Sequence, residues 1–241
     1  MAYELLGKNF TPPDIHAKVT GKAKYSEDFR VDGMVFLKVL TSPMPHARVT
    51  NIDASAALAM PGVHGVLTAD EVEAPPAPQE TILTNEPLFV GHPILAVAAD
   101  TEELASDALE QIKVTYEELP FTVDPLQSLF PGGPNARSDG NVANQGVDLR
   151  TFKWAAQDFA AAGEGKLPEG EPVTQWSFGD VEAGFAAAKV VLDETFVTAG
   201  LGHHSMEPRS ALAYWQNGKC YLYGSTQSQS FPIPGIARLC G

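Results

Sequence analysis

The stretch LFVGHPILAVAADTEELASDALEQIKVTYEELPFTVD, Leu88 to Asp124, carries the best helix signal of the chain between two strand signals. Its first part, HPILAVAAD, is a nearly continuous apolar run between Gly91 and Asp100, which predicts a strand. TEELASDALEQIKV then predicts a helix. Thr101 is the N-cap, acidic residues fill the first turn, and Leu104, Ala108, Leu109 and Ile112 fall on one face. IKVTYEELPFTV reads as a strand pair broken at Pro120.

Before this stretch, GMVFLKVLTS predicts a strand from Val35 to Leu40, ended by Ser42-Pro43. DASAALAMPGV predicts a short Ala-rich helix with Asp53 as N-cap, stopped by Pro61-Gly62, and VHGVLTADEV a second short strand. Strands on both sides of helices, without a regular βαβ repeat, indicate an α+β layer rather than a doubly wound sheet. No G-x-G-x-x-G or Walker sequence opens any helix, so there is no nucleotide fingerprint.

After it the texture changes. From Leu129 to about Gln175 the chain is rich in Gly, Pro, Asn and Glu, the composition of a linker or long surface loop. Within it LRTFKWAAQDFAAA predicts an amphipathic helix with Phe152, Ala155, Ala156 and Phe159 on one side. Such a helix needs a surface, either another domain or subunit or its own chain. Beyond the linker, Asp180 caps a predicted helix through Ala188, followed by a strand from Val190 to Val197. ALAYWQNGKCYLYGST predicts a β-hairpin, because Asn217-Gly218 is the preferred pair for a type I′ turn. Pro234 is placed to start a final helix.

At 241 residues, 44% hydrophobic and 19% charged, the composition is that of an ordinary soluble globular protein, with no apolar run long enough to span a bilayer. The net charge of −14 argues against nucleic-acid and anionic-membrane partners. Cys220 and Cys240 lack the spacing of a disulfide framework or a metal knuckle. His203 and His204 are adjacent and diverge on any regular element, so no metal site is expected of them. The N-terminal MAYELLGKNFTPPDIH shows no export signal, which predicts a cytoplasmic address.

The order of the segments KVTGKAKYSEDF, SPMPHARV, MPGVHGVLTADEV, the Leu88–Asp124 stretch, GDVEAGFAAAKVVLDETF, MEPRSALAYW and GSTQSQSF resembles the molybdenum-binding subunit of the xanthine dehydrogenase/aldehyde oxidase family, the molybdenum hydroxylases. The resemblance implies an α/β-hammerhead domain at 1–128, a linker or docking segment at 129–178, and the first elements of a larger α+β molybdopterin-binding domain at 179–241. It implies a molybdenum-molybdopterin cofactor, with iron-sulfur clusters and FAD on partner subunits. The implied reaction is hydroxylation of an electron-poor carbon of an aldehyde or aromatic heterocycle with water-derived oxygen. The family's glycine-rich segment at the metal, its pterin-dinucleotide loops and its late catalytic glutamate have no match in these residues. Catalysis is therefore expected to need a complementary chain or the rest of the subunit. A non-catalytic module that docks redox partners is the alternative.

Gln227 matches the family glutamine whose side-chain amide donates to an oxygen ligand of the molybdenum, with Gln229 as the rival in another register. Glu207 matches the MEPR glutamate, with the role of fixing a turn beside the substrate channel. His92 stands where the family carries Gln, Glu or Asp, which is expected to alter subunit contacts. The PHAR motif, Pro45 to Arg48, is implied to lie near the iron-sulfur partner, while His46 and Arg48 read equally as surface polar residues. Gly21, Ala23 and Tyr25 read as structural.

Overall fold

A computed structural model describes residues 6–72, 81–124, 127–128, 130–135, 141–145, 148–168, 176–194 and 209–226, single positions from 196 to 206, and most of 228–240. The chain is a mixture of helices and strands, as an α+β fold requires. Contacts divide it into two compact units, one of Met1–Met34 with Gly200–Gly241 and one of Val35–Ala199.

In the second unit, β1 (Phe36–Thr41), β2 (Ala47–Asp53), β3 (Val63–Thr68), β4 (Pro93–Ala99) and β5 (Lys113–Glu118) form two antiparallel sheets. Strand β4 is the centre of the order β1-β4-β3, and β2 pairs with β5. The apolar run decides this, since a strand flanked on both edges and nearly covered on both faces has little place for a polar side chain. Ile94, Leu95 and Val97 are fully buried and form the core with Ala57, Ala108 and Ile112.

Helix α3 (Glu102–Glu110) starts where predicted. The Thr101 side chain accepts from the Leu104 amide at 3.1 Å, and Glu102 and Glu103 occupy the first turn. Ala108 and Ile112 enter the core with Leu109 against it, and Ala105 is buried as well. Helix α2 (Ser55–Leu58) begins one residue later than Asp53 implied. Asp53 closes strand β2 and takes the Ser55 hydroxyl at 2.6 Å and amide at 3.1 Å, an Asx turn rather than an N-cap. Gly62 ends this segment at φ +89°, where an added Cβ would lie 2.8 Å from both Asp100 Oδ2 and Leu104 Cδ2.

Two further expectations, both after β5, are corrected by the structure. Residues 148–152 are not helical: Asp148–Phe152 is strand β7, paired antiparallel with β6 (Asn141–Gln145). The helix, α4 (Ala156–Ala162), starts after it and docks on its own chain, where Phe159 stacks on Phe130 at 4.4 Å and meets Trp154 edge-on at 5.8 Å. Residues 190–194 form no strand, for no neighbouring segment offers them a ladder among the described residues. Trp176, Phe178, Val190, Leu192 and Phe196 are all exposed. The helix before them, α5 (Val181–Ala187), is capped as read from the sequence, with the Asp180 side chain accepting from the Ala183 amide at 2.9 Å.

In the first unit, the short helix α1 (Ile15–Val19) closes on Gly21 at φ +69°, with the Lys22 and Ala23 amides donating to the Ala17 carbonyl. A 3-10 turn at Ser26–Asp28 follows, and the unit ends with the hairpin β8 (Ala211–Gln216) and β9 (Lys219–Gly224) and the helix α6 (Ile233–Cys240). Pro234 sits in the first turn of that helix, where its missing amide costs no hydrogen bond.

Candidate functional site

The hairpin is the scaffold of the candidate site. Asn217 at φ 52° and Gly218 at φ 72° give the two left-handed positions of a type I′ turn, and Gln216 faces Lys219 across it. On one face Tyr214 stacks on Tyr221 at 5.1 Å and on Tyr223 at 6.4 Å, and Phe29 caps the row against Tyr223 at 4.7 Å. A hydrogen bond with Tyr223, with burial second, raises the Tyr214 phenol above its ordinary pKa.

At the open end of the hairpin the Ser225 amide donates to the Ser210 carbonyl at 3.3 Å. The Ser26 hydroxyl enters the same place, 2.9 Å from Ser210 O, 2.7 Å from Ser210 Oγ and 3.3 Å from Ser225 Oγ. From this end the chain runs on into the STQSQS segment. There Thr226 Oγ1 donates to the Ser228 carbonyl at 2.9 Å and accepts the Ser228 amide at 3.2 Å.

Gln227, Gln229, His203 and Glu207 lie outside the described residues. His204 is exposed with φ 44°, and Arg209 is exposed just before β8. No group of three or more His, Cys, Asp or Glu side chains that could hold a metal occurs among the described residues. The described side chains at the open end of the hairpin are hydroxyls, groups that hydrogen-bond a cofactor rather than ligate a soft metal.

The other singled-out residues belong to the second unit. His92 is only 3% exposed; its Nδ1 accepts from the Leu88 amide at 3.2 Å and its ring stacks on Phe89 at 4.4 Å. A ring held this way shapes the loop before β4 from inside its unit rather than from the surface. His46 is likewise buried, at 8% exposure, rather than a surface polar residue. Its Nδ1 donates to the Pro120 carbonyl at 2.7 Å and its Nε2 lies 3.5 Å from Glu86 Oε1. Beside it a small cavity is lined by Pro45, Phe121, Thr122 and Ser128. Arg48 is exposed and pairs with Glu117 at 3.1 Å and Glu86 at 3.5 Å. Cys220 is exposed and in no disulfide among the described residues.

Ser26 escaped the reading of the sequence. KYSEDF marks the stretch, but no local signal says that one serine meets two others near the far end of the chain.

Comparison with known proteins identifies the family of this fold. Residues 20–120 match the family model described as aldehyde oxidase and xanthine dehydrogenase, a/b hammerhead domain, and residues 166–241 match the molybdopterin cofactor-binding domain. The chain belongs to the xanthine dehydrogenase/aldehyde oxidase family of molybdenum hydroxylases. It is 33% identical over 89% of its length to a probable xanthine dehydrogenase subunit of Bacillus subtilis (strain 168), covering 26% of that protein. To the nicotinate dehydrogenase large molybdopterin subunit of Eubacterium barkeri it is 29% identical over 98% of its length, covering 50% of that relative. The solved quinoline 2-oxidoreductase of Pseudomonas putida 86 shares the fold over 97% of this chain and 28% of its own, with a TM-score of 0.72 and 24% identity. The chain thus spans between a quarter and half of the length of these relatives.

Proposed function

We propose that this chain is part of a cytoplasmic molybdenum hydroxylase that hydroxylates an electron-poor carbon of an aldehyde or aromatic heterocycle with water-derived oxygen. Electrons pass to iron-sulfur and flavin centres on partner subunits. The observation that carries this reading is the match of a hammerhead domain and a molybdopterin cofactor-binding domain in that order on one chain. No helix among the described residues is long and apolar enough to cross a membrane. The division 1–128, 129–178 and 179–241 is the proposed organisation along the sequence, with Ser26 and Phe29 packing on the later hairpin.

The bound molybdenum cofactor supplies the redox chemistry and the activation of water. What this chain contributes is placement. The Gln227 amide is the proposed donor to an oxygen ligand of the metal, and a preorganised donor of this kind contributes on the order of 3 kcal/mol to a transition state. The stacked hairpin Tyr214, Tyr221 and Tyr223 supports the segment that carries it. Catalysis draws on further polypeptide, either a complementary chain or the rest of the subunit. Trp176, Phe178, Leu192 and Phe196 are exposed apolar side chains of the kind that further polypeptide would cover.

Purification with partners and metal analysis test the reading. A complex containing molybdenum in which Gln227→Ala lowers kcat by about 100-fold or more, with metal content retained, is the expected result. A metal-free chain that still recruits iron-sulfur and flavin subunits would instead establish a docking module.

A further inference from the structure

We infer that Ser26 is a positioning residue for the segment that carries Gln227, an inference that rests on the cofactor role proposed for that glutamine. Ser26 is 9% exposed in its 3-10 turn, and its hydroxyl meets three oxygens at the open end of the hairpin. A hydroxyl has one proton and two lone pairs. The Ser210 carbonyl takes the proton at 2.9 Å, so the Ser210 and Ser225 hydroxyls, at 2.7 Å and 3.3 Å, are its donors. The Ser26 hydroxyl thereby meets an acceptor and two further hydroxyls at the hairpin's open end.

The consequence is mechanical. An isolated two-stranded hairpin is marginal in water, and its ends fray first. Here the turn end is fixed by Asn217 and Gly218, and the open end by the Ser225 amide on Ser210 O together with the Ser26 hydroxyl. Gln227 follows Ser225 by two positions, roughly 7 Å of extended chain at most. Whatever holds Ser225 therefore sets the root of the Gln227 segment. Phe29, three residues after Ser26, adds its ring to Tyr223 and keeps the N-terminal segment seated on the same strand. The carboxylate of Asp28 closes the turn from the other side by accepting the Tyr25 amide at 2.9 Å.

Ser26→Ala and Ser26→Thr separate positioning from general stability. In hydrogen exchange on the full chain, Ser26→Ala is expected to speed exchange of the 224–232 peptide by about tenfold and to leave helix α3 unchanged, with Ser26→Thr restoring protection. In the molybdenum-loaded complex, Ser26→Ala is expected to alter the paramagnetic resonance of the reduced metal in the direction that Gln227→Ala does, at unchanged metal content. Unchanged exchange at 224–232 overturns the inference, and so does an unchanged resonance when Gln227→Ala alters it. A resonance indifferent to Gln227→Ala itself removes the glutamine's assignment, and the positioning role with it. Should Ser26→Ala fail to fold, Ser225→Ala removes one contact of the same hydroxyl and is read by the same two measurements.

Discussion

Phe29 stacks on Tyr223 with ring centroids 4.7 Å apart and planes inclined by 29°, although one residue comes from the N-terminal segment and the other from the last hairpin strand. An offset pair of this kind contributes roughly 1 kcal/mol beyond the area it buries. Phe29→Ala is expected to lower stability by at least that amount, and Phe29→Tyr to retain most of it. Urea unfolding followed by the near-ultraviolet circular dichroism of the tyrosines reads the change; an unaltered midpoint for Phe29→Ala would show that the stack is not formed in solution.

Gly62→Ala meets two obstacles at once. The backbone stands at φ +89°, and the added Cβ would lie 2.8 Å from Asp100 Oδ2 and from Leu104 Cδ2. The expected cost is about 1–3 kcal/mol, from backbone strain and from pushing Leu104 off its seat. Equilibrium denaturation of the variant checks it, and a loss below the measurement error would contradict the geometry.

Thr101→Ala removes the acceptor of the Leu104 amide and is expected to cost about 1 kcal/mol, while Thr101→Ser keeps the oxygen and most of the stability. Comparing the two by thermal unfolding isolates the cap from the loss of a methyl group.

Tyr116 packs against the core, and burial raises its phenol above the ordinary tyrosine value. The fold therefore favours the neutral form. That contribution is whole below the unfolded tyrosine pKa and is lost as pH climbs through the raised folded value. Denaturant titrations between about pH 9 and pH 12 are expected to show a fall in stability that Tyr116→Phe reduces. A Phe variant with the same alkaline slope as the parent protein would assign that slope to other groups.

The readable parts of the chain share one property. HPILAVAAD, the Thr101 cap and Asn217-Gly218 each carry their instruction within a few residues, and each appears in the structure as β4, the start of α3 and the hairpin turn. Strand β2 was not legible because its pairing with β5 slips between Val49 and Asn51. The bulge places Val49 and Ile52, three positions apart, against the same core, so the period of two disappears from the sequence. Phe152, Ala155, Ala156 and Phe159 had helical spacing, yet Phe152 ends a strand, and the helix begins only at Ala156. Apolar spacing over so short a stretch does not separate the two.

What the amino-acid order determined by itself was the set of local elements, the α+β class and, through seven segments in sequence, the molybdenum hydroxylase family. Its physical basis is short-range: caps, turns and apolar runs act through neighbours in the chain. Only the tertiary structure decided that β4 lies between β1 and β3, that His46 and His92 are buried, and that Ser26 and Phe29 hold the hairpin that leads into Gln227. Those partners are separated by long stretches of chain, and which serine or ring meets which is settled by packing and hydrogen-bond satisfaction once the elements have assembled.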